Sequence, residues 1–138
     1  MRDSGMRFLG PYVLGTLALV TDDPDRRRAA LKEGQELLRS GSIAHNHLWF
    51  YRDAMEVCLQ MAEWDEVGRY AEALEDYTSA EPLPWSDFFI ARGRALAAYR
   101  QGERTQSTMQ ELRRLCDEAE RVGLTVALPK LEAALSGA

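Results

Sequence analysis

From His45 to Tyr77, apolar residues recur at steps of three and four. Leu48, Tyr51, Ala54, Met55, Cys58, Leu59 and Ala62 share one face of a helix, and Val67, Tyr70, Ala71, Leu74 and Tyr77 share one face of a second. The break falls at Ala62-Glu63-Trp64-Asp65. An acidic residue there is placed to cap the new helix, and its charge suits the positive end of the helix dipole. A lone hairpin of two such helices cannot bury both its faces, so the pattern predicts similar neighbours on either side.

The flanking sequence supplies them. A first helix is expected from Gly10 or Pro11 to about Val20, with proline in its first turn. Asp23 caps a second helix with Pro24 at its first position. Its inward stripe is Ala30, Leu31, Gly34, Leu37 and Leu38, and Gly41 ends it. After the central hairpin, Glu81-Pro82-Leu83-Pro84 stops the fourth helix, because proline removes a donor and restricts its predecessor. A fifth helix begins near Trp85 or Ser86 and runs to Gln101, with Phe88 or Phe89, Arg92-Gly93, Leu96 and Tyr99 inward. A sixth spans about Thr105 to Val122, with Met109, Leu112, Leu115, Cys116 and Ala119 inward and Gly123 as its stop. A short last helix carries Leu128, Leu131, Ala134 and Leu135, with Pro129 in its first turn.

The odd helices align by subtraction: Phe8, Leu48 and Phe88 lie 40 apart, as do Gly15, Met55 and Ala95, and Ala18, Cys58 and Ala98. Two helices per repeat of roughly 40 residues read as an α-solenoid. The expected fold is all-α: about three hairpins and a C-terminal capping helix, in one domain over residues 1–138 with 1–7 poorly ordered. Small residues at Gly15, Ala54, Gly68, Gly93 and Ala95 are expected where helices cross closely.

Composition narrows the function classes. The chain has 138 residues, 46% of them hydrophobic and 28% charged, as in ordinary globular domains. The net charge of −5 counts against nucleic acid, and the basic run Arg26-Arg27-Arg28 sits among Asp22, Asp23 and Asp25. Phe8 to Val20 is the most apolar stretch, but it is interrupted by Gly10, Pro11 and Gly15 and is too short for a membrane span. Thr21-Asp22-Asp23-Pro24 is a poor signal-cleavage site. The expectation is a cytoplasmic protein, with Cys58 and Cys116 as free buried thiols.

The hairpins resemble the tetratricopeptide repeat (TPR). Leu14-Gly15 and Ala18 are like its leading positions, and Ala62-Glu63-Trp64 is like its turn into the second helix. The segments FLGPYVLGTLALVTDDPDRRRAALKEGQELL, HNHLWFYRDAMEVCLQMAEWDEVGRYAEALEDYT and EPLPWSDFFIARGRALAAYRQG resemble the C-terminal helical region of large bacterial class III adenylate/guanylate cyclase proteins. There, a cyclase domain and an ATPase-like module precede a TPR-like tail. The resemblance implies a tail without its enzyme: no GxxxxGK[ST] phosphate loop occurs in the chain.

Candidate chemistry is sparse. His45 and His47, with Asp53 as a third ligand, suit a metal only in an extended segment; on a helix they face different ways, and no Cys or Glu completes a set. The imidazoles are better read as bonding the loop and the helix start, with Asn46 as a cap. Ser86-Asp87 is read as a helix start, Ser86 capping and Asp87 favouring the dipole. No base and orienting group accompany a nucleophile, so the chain is read as non-catalytic and without cofactor.

In a TPR-like superhelix the first helix of each pair lines the concave face. Carried over by spacing, that face includes Tyr12, Trp49, Arg52, Glu56, Phe89, Arg92 and Leu96. Trp49-Phe50-Tyr51 cannot all share a face, so one ring is surplus to the stripe. Arg52 and Arg92 lie 40 apart and are placed to clamp a carboxylate, against local pairing of Arg52 with Glu56 and of Arg92 with Asp53 or Asp87. The leading expectation is a scaffold or regulatory tail that binds a protein, a peptide or another part of its own polypeptide. A ligand sensor acting on an upstream catalytic domain and a homodimerising spacer are the alternatives.

Overall fold

The computed structural model describes residues 15–39 and 44–137, with the side chains of 37–39 and 44–47 excluded. Helical residues 15–20 (α1) precede α2 (Pro24–Arg39), α3 (Ala44–Gln60), α4 (Trp64–Thr78), α5 (Pro84–Arg100), α6 (Gln106–Val122) and α7 (Leu128–Leu135). A short 3-10 turn, Thr125–Ala127, leads into α7. No strand occurs among the described residues. The expected disorder of 1–7, the first helix's start and the Gly41 stop lie outside them.

The ends of these helices follow local chemistry. Asp23 accepts from the backbone N–H of Asp25 at 2.9 Å, and Pro24 opens α2. Pro84 opens α5 in the same way. Thr105 caps α6 by accepting from Thr108 N–H. Gly123 closes it at φ 82°, and Leu124 N–H reaches back to the Ala119 carbonyl at 2.8 Å. Three expected caps are not made. Glu63 occupies the N-cap position of α4, but its carboxylate leaves the backbone and takes Arg28 of α2 at 2.7 Å. Leu83, not Ser86, precedes α5; Ser86 lies within the first turn, fully buried, its hydroxyl without a hydrogen-bond partner among the described residues. Asn46 is inside α3, which starts at Ala44.

Each helix from α2 onward packs on the next, and α3, α5 and α7 also touch in a row. α5 is therefore the centre, against α3, α4, α6 and α7, and it buries most of its circumference, leaving the face of Asp87, Ala91, Arg94 and Ala98 toward solvent. α3 is enclosed likewise, so Phe50 and Val57, off the expected stripe, are 0% exposed. At the far end of α4, Tyr77 turns outward and Thr78 takes the inward place, its hydroxyl donating to the Leu74 carbonyl at 3.0 Å. Salt bridges from Arg94 to Glu75 and from Arg28 to Glu63 link neighbouring elements at the surface.

The close crossings fall at particular glycines. A Cβ at Gly93 would lie 3.0 Å from Met55 Sδ, which places α5 hard against α3. Gly68, expected at such a crossing, faces open space with nothing within 4 Å of an added Cβ. Its cost to the helix is therefore uncompensated. Gly68→Ala is expected to stabilise the fold by about 0.5–1 kcal/mol, read as a rise in the urea midpoint at unchanged slope. A loss of stability would show an unseen neighbour on that face of α4.

A candidate binding cleft between α3, α5 and the C-terminal segment

The expected groove residues divide. Arg52, Glu56, Phe89 and Arg92 line one cleft of about 400 Å³. α3 contributes Arg52 and Glu56 one turn apart with Asp53 beside Arg52, and α5 contributes Trp85, Phe89 and Arg92 at steps of four and three. Leu19 of α1 and Leu124, Val126 and Ala127 of the C-terminal segment close it. Leu96 is 2% exposed and belongs to the core, Trp49 lies off the cleft, and Tyr12 is outside the described residues.

The walls are mainly apolar. Trp85 and Phe89 meet with ring centres 4.8 Å apart, and Val126 is 87% exposed at the rim. The floor is ionic. Arg92, 5% exposed, donates Nε to the Ala127 carbonyl at 3.1 Å and Nη1 to Glu56 at 2.9 Å. Lys130 of α7 donates to the other oxygen of the same carboxylate. Arg92 is thus committed to holding the C-terminal segment. The symmetric clamp of two free arginines is not formed, because only one of the two 40-spaced arginines reaches the 3-10 turn before α7. Local pairing also differs from expectation: Glu56 serves Arg92 and Lys130 rather than Arg52.

Arg52 remains partly accessible. Its Nε and Nη2 both donate to Asp53 Oδ1, at 3.1 and 3.0 Å, and its guanidinium lies 5.8 Å from the Trp85 ring centre. Asp53 is 2% exposed, with one oxygen held by Arg52 and its carboxyl also facing Thr16 of α1 as a side-chain hydrogen-bond partner. Burial pushes this carboxyl above its ordinary range, with Arg52 pulling against it. Burial also pushes Glu56 up, but Arg92 and Lys130 outweigh it and hold that carboxyl below its ordinary range. The cleft lining thus carries two cations, Arg52 and Arg92, against two carboxylates, Asp53 and Glu56, with Lys130 outside the lining pairing to Glu56 as well.

The other candidate chemistry is not assembled. Residues 44–47 are helical, so the extended geometry that a His45–His47 metal pair needs is not present. Among the described residues no cluster of three or more His, Cys, Asp or Glu is placed to hold a metal. Cys58 is buried, and its thiol is pushed up to about 12 by desolvation and then by Glu63 and Glu66, which suits an inert packing residue. Among the described residues, no helix is long and apolar enough to cross a membrane.

Trp85, Leu19, Leu124, Val126 and Ala127 were not among the expected site residues. Trp85 carried a signal in its place at the start of α5, one turn before Phe89. The C-terminal residues carried none, since a 3-10 turn after a helix stop has no periodicity to read.

No protein-family model, curated protein or solved structure matches the chain.

Proposed function

We propose that the chain is a non-catalytic interaction or regulatory module with a TPR-like solenoid arrangement, the tail of a larger signalling protein of the class III cyclase kind. Its cleft takes a bulky apolar side chain from a partner protein or from another part of the same polypeptide. The observation that carries this reading is the cleft itself: an apolar wall of Trp85, Phe89, Leu124 and Val126, open to solvent and edged by Arg52. Apolar anchors in preformed pockets dominate peptide recognition, and a flanking guanidinium selects acidic neighbours. Arg52 takes the orienting role, since Arg92 is occupied by Glu56 and Ala127. The row of odd helices and the 40-residue register support the solenoid.

Selection from a displayed random-peptide library tests this directly. The expected consensus is one large apolar residue beside an Asp or Glu. Enrichment should vanish on Val126→Glu, which changes an exposed position and spares the fold. It should lose its acidic preference on Arg52→Gln. Peptides that enrich equally on the Val126→Glu protein, or no enrichment at all, would remove the cleft from the reading.

A further inference from the structure

One wall of the cleft differs in kind from the others. α3 and α5 are buried over most of their surface and anchored in the core. The opposing wall belongs to a C-terminal strap, residues 124–135, built from a 3-10 turn and the eight-residue α7. Its fully buried apolar groups are few, Ala127, Leu131 and Ala134, with Leu124, Leu128 and Leu135 only partly buried against the core. A helix of this length is far below the roughly 12–15 residues that hold in water alone, so its structure depends on docking. Part of that docking is polar. Arg92 holds the Ala127 carbonyl, and Glu56 joins Arg92 to Lys130. Lys130 does not line the cleft, yet it fixes the element that does.

We infer that the strap is the movable wall of the cleft, and that strap docking and cleft occupancy are coupled through Glu56. An occupant gains contacts with Leu124, Val126 and Ala127 only when the strap is docked. It therefore favours the docked state, and by reciprocity whatever undocks the strap weakens the occupant. The C-terminus becomes the reporter of occupancy, with the Arg92–Glu56–Lys130 tie setting how strongly. This rests on the proposal that the cleft takes an apolar, acid-flanked occupant. The mobility of the strap does not.

Hydrogen exchange read by mass spectrometry on the full chain separates the two. In the free protein, amides of 124–135 should exchange through a local opening, faster than those of α3 and α5. Lys130→Ala should speed strap amides about tenfold and leave α3 and α5 unchanged, and Lys130→Arg should restore the slow rate, as expected for one charge-assisted hydrogen bond. Strap amides that exchange only with the core, or a Lys130→Ala effect spread evenly over the chain, overturn the movable wall. The second arm adds 2-naphthylacetate, an apolar body with one carboxylate, and follows its binding by tryptophan fluorescence. Binding that slows strap exchange, and that is weakened several-fold by Lys130→Ala, supports the coupling. Binding with unchanged strap exchange overturns it. Absence of any binding removes the occupancy reading and the coupling with it, while strap mobility is decided by the first arm.

Discussion

Phe50→Ala is expected to cost about 3–5 kcal/mol, the usual range for removing a fully buried aromatic side chain. Phe50 is 0% exposed and sits in a slot made by two glycines. A Cβ added at Gly15 would come within 3.5 Å of its Cδ1, and one added at Gly34 would come within 3.0 Å of Cδ1 and closer still to Cε1. Tyr51 and Tyr70 close the slot, with ring centres 5.7 and 6.2 Å from that of Phe50. The ring therefore locks α1 and α2 onto the α3–α4 hairpin.

The same geometry fixes a second, coupled outcome. Gly34→Ala gains about 1 kcal/mol of helix propensity but forces a ring with no room to move, and overpacking of this kind costs about 1–3 kcal/mol. The net effect should be destabilising. In a Phe50→Leu background the clash is relieved, and Gly34→Ala should become neutral or stabilising. Chemical denaturation of the four proteins in the cycle measures the coupling. Additive effects would show that Gly34 and Phe50 do not share the slot. Gly68→Ala is the control: the same substitution in a helix with open space beside it.

Much of this fold was legible because its punctuation is local. Asp23-Pro24, Pro84 and Gly123 each act within one turn of themselves; the first and last set boundaries where the pattern placed them, while Pro84, expected only to stop the preceding helix, itself opens α5. Most of the inward stripes of α4 and α6 was legible for the same reason, Tyr77 at the end of α4 and the half-buried Met109 of α6 excepted. α3 and α5 were less so. Phe50, Val57 and Ile90 are buried because neighbours cover those helices on several sides, and single-helix periodicity carries no record of that.

The cleft shows the same limit at the level of charge. A 40-residue register places Arg52 and Arg92 on matching faces, and both do line one cleft. Their fates diverge because the 3-10 turn before α7 comes back to one and not the other. Arg52 satisfies itself on the next residue, Asp53, while Arg92 reaches Ala127, 35 residues further on. Spacing predicts where a side chain starts; long-range return of the chain decides what it meets.

Arg92 is consequently a structural residue, and its removal should be among the costliest on the surface of the cleft. Breaking a buried, hydrogen-bonded ion pair typically costs about 3–5 kcal/mol, because the remaining charge and the freed acceptors lose their partners. Arg92→Met keeps most of the stem but leaves the Ala127 carbonyl and one Glu56 oxygen unpaired, so it should fall near the lower end of that range. Arg92→Met combined with Glu56→Leu should recover part of the loss, since the Glu56 carboxylate is then no longer held in the cleft short of a partner. The dependence on pH separates this pair from its neighbour. Glu56 is held below the ordinary glutamate value of 4.5, so its contribution is complete above that value and is lost as pH falls through the lowered one. The gap between wild type and Arg92→Met should therefore narrow under acid. Asp53 has the opposite sign. Its carboxyl is raised above the ordinary 3.8, so the folded state binds the proton more tightly, and a penalty develops as pH rises from 3.8 through the raised value. Asp53→Asn removes that penalty, and its stability relative to wild type should improve from acid to neutral pH. Urea midpoints across that range, for the two variants, should move in opposite directions relative to wild type as the acid is neutralised. Parallel movement would mean that the carboxylates of Asp53 and Glu56, one turn apart on α3, share a single environment rather than two.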